Sequence, residues 1–192
     1  MAERRSGYIL AAAVLCGAVG VSCDQGDPGS GASNVVSYGE PIGVCSGSVS
    51  GPAEVHSSVV GLIAARQDAV SVTGWSHSGD GLEIVGVALM PSTAGGGVGL
   101  EGFPPEVFTD LGVEFQVVGD EPAVLPAVTA SPDPSQPPDV AQLVVVGYRL
   151  EGGRSNGYLE GVDLAVVGQA GEKEAVSLTS KLYMTTDPCP GL

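Results

Sequence analysis

Two histidines, His56 and His77, and two methionines, Met90 and Met184, are the side chains of this sequence best suited to holding a transition metal. Imidazole suits zinc or copper, and a thioether adds a soft ligand for copper. Metal ligands usually recur at short fixed intervals, and these four are scattered along the chain. Ordinary core or exposed histidines explain them equally well. Neither histidine stands in a Ser-His-Asp or Cys-His arrangement. The sequence therefore predicts no catalytic residues and no cofactor. An extracytoplasmic metal-binding or delivery protein using His56 and His77 is the second reading, and a hydrolase comes last.

Three further features bear on chemistry. Trp75-Ser76-His77-Ser78 is polar and aromatic beside a turn, as the rim of a binding surface would be. A single tryptophan in a small sandwich is more often its core plug. The run Gly95-Gly96-Gly97-Val98-Gly99 resembles a phosphate loop only in composition. Such a loop needs a helix N-terminus after it and, in the P-loop, a Lys-Ser/Thr pair; here Pro104-Pro105 follows and no lysine is near. Asp133, Asp139, Glu151, Glu160 and Asp163 carry oxygen ligands for calcium, but no D-x-D-x-D-G run gathers them. Solvated acidic turns are the expectation.

The amino terminus has the layout of a secretory leader: Arg4 and Arg5, an uncharged apolar run over residues 8–21, then Ser22 before Cys23. The run is shorter than the roughly 20 residues that cross a bilayer. Gly20-Val21-Ser22-Cys23 resembles the lipobox of bacterial lipoproteins, with Gly20 standing where Leu, Val or Ile is common. The resemblance implies diacylglycerol on the Cys23 thiol, cleavage ahead of it, and a cell-membrane protein anchored by lipid and facing outside the cytoplasm. Asp24 in the next position would, by the same resemblance, favour retention on the inner membrane, with the periplasmic and cell-surface sides both left open.

Cys16 would leave with the leader and Cys23 would take the lipid, so Cys45 and Cys189 remain as an even pair. In an oxidising compartment this predicts one disulfide. No C-x-x-C pair is present for thioredoxin-like chemistry or a zinc ribbon.

Charge limits the partners. The chain has 22 acidic against 7 basic residues, a net of −15. Such a surface repels phosphate backbones, so nucleic acid is excluded as a partner. The expected partners are the membrane, through the anchor, and an envelope protein or polymer.

The elements that would position these residues read as short strands. Thirty glycines and 14 prolines with 5% aromatics suit strands broken by turns. Residues 24–40 read as a flexible tether, so the domains are a signal peptide over 1–22, Cys23 and tether over 23–40, and a folded domain over 41–192. Residues 143–150 read as a strand buried on both faces, 158–167 as its return past Asn156-Gly157, and 176–182 as a half-exposed third strand. They predict a three-stranded antiparallel meander. Residues 69–75 and 82–89 flank a hairpin turn at 78–81, residues 111–117 alternate as a strand, and 126–138 form a proline-rich connection. Residues 55–65 fit helical spacing, but Val59-Val60 and Gly61 favour a strand. The fold class predicted is all-β, an antiparallel immunoglobulin-like β-sandwich with that C-terminal meander.

Overall fold

The computed structural model describes residues 34–38, 43–47, 53–95, 97, 99–128 and 140–189. In chain order the strands are β1 (Val35–Tyr38), β2 (Gly43–Ser46), β3 (His56–Ala65), β4 (Val70–Asp80), β5 (Leu82–Pro91), β6 (Leu100–Glu101), β7 (Gln116–Val117), β8 (Ala123–Leu125), β9 (Gln142–Leu150), β10 (Asn156–Val167) and β11 (Lys173–Thr185). A short helix, α1 (Glu106–Asp110), lies between β6 and β7.

The strands form two sheets in a sandwich, as the residue pattern predicts. The first runs β1-β3-β9-β5-β7, with β6 also on β3; the second runs β2-β11-β10-β4-β8. Pairing is antiparallel except for β2 on β11, which is parallel. Ile63, Leu89, Val146 and Tyr148 of the first sheet pack against Leu159, Leu164, Leu182 and Met184 of the second. Each fully buried aliphatic side chain of this kind contributes about 1.5–3 kcal/mol.

The predicted meander divides between the sheets. β10 and β11 are the expected hairpin, but β9 pairs with β3 and β5 and not with β10. Burial explains this. β9 is covered on both faces and takes the centre of the first sheet, whereas β10 alternates buried and exposed residues and suits a sheet with one solvated face. The turn at 78–81 is likewise no hairpin. The chain passes through Gly81 from β4 in the second sheet to β5 in the first.

Residues 55–65 include the strand β3, not a helix. Of the alternating stretch 111–117, only Gln116 and Val117 form a strand. Leu111 is 74% exposed after α1, while Phe108, Val113 and Phe115 pack with Val59, Met90 and Val145 on the outer face of the first sheet. The apolar residues of this excursion thus cover a sheet face and do not extend a ladder. The sandwich also begins before Pro41, inside the stretch read as tether: Val35–Tyr38 pairs with Leu62, Ile63, Ala64 and Ala65. In the proline-rich connection, Ala127 bridges Ala65 and Val128 is buried; residues 129–138, the leader with Cys23, and tether residues 24–33 lie outside the described residues.

Cys45 and Cys189 form the predicted disulfide. It ties β2 to the segment that follows β11, where residues 144 apart in sequence come together.

Candidate functional site

Within the sandwich, β3 brings His56 and Ser58 to its inner face beside Tyr148 and Val146 of β9. The Tyr148 hydroxyl lies 2.8 Å from Ser58 Oγ and 3.2 Å from Ser46 Oγ. The backbone N–H of Gly99 donates to Ser58 Oγ at 2.9 Å. Ser46 comes from β2 in the second sheet, so this buried chain of hydroxyls joins the two layers. Burial raises the Tyr148 phenol above its ordinary range, and the two serine hydrogen bonds offset only part of that. The phenol is therefore neutral and serves as a cross-link between layers.

His56 lies next to this chain without joining it. Its Nε2 is 2.8 Å from Glu54 Oε1, its ring is 6.4 Å from that of Tyr148, and its buried Nδ1 has no hydrogen-bond partner. A Ser-His dyad would need the imidazole on a serine hydroxyl; here Nε2 is on Glu54 and no described hydroxyl lies on Nδ1.

The four metal candidates are not brought together. His56 faces inward on the first sheet, and His77 is exposed on β4 in the second. Met90 is buried on the outer face of the first sheet and Met184 between the layers. Among the described residues no group of three His, Cys, Asp or Glu side chains is placed to hold a metal. Glu151, Glu160 and Asp163 are exposed, with Asp163 accepting the Ser177 hydroxyl and Glu151 4.0 Å from Arg154; Asp133 and Asp139 lie outside the described residues. In the glycine run, Gly97 accepts the Val59 N–H along the β3 edge. The next described helix begins only at Glu106, so no helix N-terminus directly follows the run.

Trp75 is half-buried against the core and its ring lies 6.2 Å from that of His77. It packs on the core and also borders solvent at the edge of the second sheet. On the outer face of the first sheet, Val55, Glu83, Val85, Gly102, Phe103 and Arg149 line an open cleft of about 630 Å³. Arg149 donates twice to the Glu83 carboxylate, at 2.7 and 2.9 Å, and holds that carboxyl below its ordinary range. With its one cation already paired, the cleft offers no free charge to a ligand.

Ser46, Ser58 and Tyr148 carry no motif in the sequence. The available signal was polar residues inside apolar runs: Ser57-Ser58 ahead of Val59-Val60, and a tyrosine closing the 143–148 stretch. A strand buried on both faces must pair such groups internally.

No protein-family model, curated protein or solved structure matches this chain.

Proposed function

We propose that this chain is a lipid-anchored protein of the cell membrane, facing outside the cytoplasm, whose sandwich serves as a non-catalytic binding or accessory module of the envelope. The observation that carries the reading is the Cys45–Cys189 disulfide. It pairs the two cysteines that remain once Cys16 and Cys23 are assigned to the leader and the lipid, and disulfides persist in oxidising compartments. The leader pattern supplies the address. Two or three acyl chains, at about 0.8 kcal/mol per buried CH₂, would anchor the protein stably. The module reading is supported by the buried hydroxyls of Ser46, Tyr148 and Ser58 pairing with one another and not with His56.

Mass spectrometry of the protein isolated from native membranes tests the anchor. The expected product starts at Cys23 and carries diacylglycerol, and Cys23→Ser accumulates uncleaved and without lipid. A wild-type product without acyl groups, or one retaining residues 1–22, overturns the reading. Crosslinking in native membranes tests the module, with a reproducible envelope partner as the expected result.

A further inference from the structure

We propose that the free edge of β4, residues 73–80, takes up an extended partner segment in which apolar residues alternate with basic ones, adding it to the second sheet as a further strand. This rests on the binding-module reading and is independent of the lipid anchor.

The edge is open over most of its length. β8 covers only Val70, Ser71 and Val72 of β4. Beyond them no described strand pairs with that side of β4. On the same flank, β7 pairs with β5 only at Ala88 and Leu89, and Val118 adds one hydrogen bond to the Val87 carbonyl. Among the described residues, both sheets therefore end in unpaired backbone between the Gly81 crossing and the β7–β8 segment.

Unpaired backbone is a template for another strand, and proteins commonly block it with lysine, proline or a bulge. Residues 73–80 read TGWSHSGD, with no lysine, arginine or proline, and the bulge in β4 falls at the start of the segment, at Thr73, leaving 74–80 as regular strand. The part of β11 that β2 leaves uncovered, by contrast, starts with Lys173 and Glu174.

Two inward rows of the second sheet run out at this edge. One is Val176, Leu164, Trp75; the other is Leu178, Val162, His77. They end on a tryptophan that is only half-buried and a histidine that is exposed. An added strand would continue both rows, and its inward side chains would complete the cover over Trp75. That position calls for apolar residues at alternate places.

The outward rows set the charge. Ser177, Asp163 and Ser76 form one, and Tyr183, Tyr158 and Asp80 form another. The outward side chains of an added strand would stand beside Ser76 and Asp80, whose carboxylate is 3.4 Å from Arg154, with Asp163 one strand further in; the net charge of −15 favours lysine or arginine there. A second copy of the chain would instead bring one net charge of −15 against another.

Trp75 is the only tryptophan and so reports on this edge alone. The full chain, purified in detergent, is titrated with a nine-residue amidated peptide bearing valine at even positions and lysine or threonine at odd ones. The expected result is a saturable blue shift of Trp75 emission and at least tenfold slower amide exchange across 73–80. The same peptide N-methylated at alternate amides gives neither, and a version with glutamate in place of lysine binds at least tenfold more weakly. No shift and no protection at millimolar peptide, or an equal response to the N-methylated peptide, overturns the proposal. Protection of 73–80 that grows with protein concentration alone, with a dimer in sedimentation, overturns it in favour of a second copy. Ser76→Lys places a blocking charge on the edge. If an envelope partner is still crosslinked to this variant in native membranes, the edge assignment falls while the module reading stands.

Discussion

Phe103 lies on Gly147: its ring occupies the space that a Cβ at Gly147 would take, and it fills the same space at Gly86. The two glycines are partners across β5 and β9. They form a flat strip on the outer face of the first sheet, and the excursion carrying α1 is seated there through Phe103. The adjacent Ser57 hydroxyl donates to the Gly102 carbonyl and fixes the approach.

Gly147→Ala is therefore expected to destabilise by about 1–3 kcal/mol, the usual cost of overpacking. Thermal or urea denaturation measures it. Phe103→Ala opens the space, so the double variant should lose less than the sum of the two single losses, because residues in contact are not additive. Additive losses would mean that the ring does not rest on the glycine.

Reduction of the Cys45–Cys189 bond, or its replacement by two serines, removes a cross-link between residues 144 apart in sequence. The chain-entropy account puts a loop of this length at about 5 kcal/mol. The expected loss in guanidinium denaturation is about 2–5 kcal/mol. Amide exchange should quicken first in β2, whose parallel ladder on β11 spans only Gly43 to Ser46. A melting curve unchanged by reductant would contradict this.

Tyr148 gives stability an alkaline limb. Its phenol is held above the ordinary range near 10 by burial, so the folded protein keeps the proton longer than the unfolded chain does. Its contribution is intact below about pH 10 and falls as pH rises from there toward the folded value. Tyr148→Phe leaves the Ser46 and Ser58 hydroxyls without that partner and should cost about 1–3 kcal/mol at neutral pH. The gap between wild type and variant should narrow above about pH 10. Denaturation between pH 8 and 11 checks the sign.

The sandwich was legible in the sequence because period-2 burial is a local property. β10 and β11 alternate as written, and β3 shows in its β-branched residues. Strand partners were not legible. Nothing in residues 143–150 says that the strand leaves β10 for the centre of the other sheet, since a strand buried on both faces reads the same beside any neighbour. The cysteine pair was legible from count and compartment alone. The Ser46-Tyr148-Ser58 chain was not, because it joins residues from three strands in both sheets, and its members are ordinary polar residues until the fold buries them.

Gly81 is where a turn motif in sequence becomes a change of sheet, and a substitution there isolates the reason. Its φ is +74°, and a Cβ would stand 2.7 Å from the Asn156 carbonyl oxygen and 3.1 Å from Gly157 Cα. Its own carbonyl accepts the Glu151 N–H, so the crossing from β4 to β5 packs backbone to backbone against the crossing from β9 to β10. A hairpin glycine would carry only the cost of its left-handed conformation, about 1–2 kcal/mol for another residue. Gly81→Ala adds overpacking against backbone that cannot swing aside, so the expected loss is about 2–4 kcal/mol. Gly112 serves as the reference, with φ +73° and nothing within 4 Å of a Cβ. Gly112→Ala should lose only the conformational part, about 1–2 kcal/mol. The difference between the two variants in urea denaturation measures the crowding at the corner. Equal losses would show that the two crossings do not bear on each other.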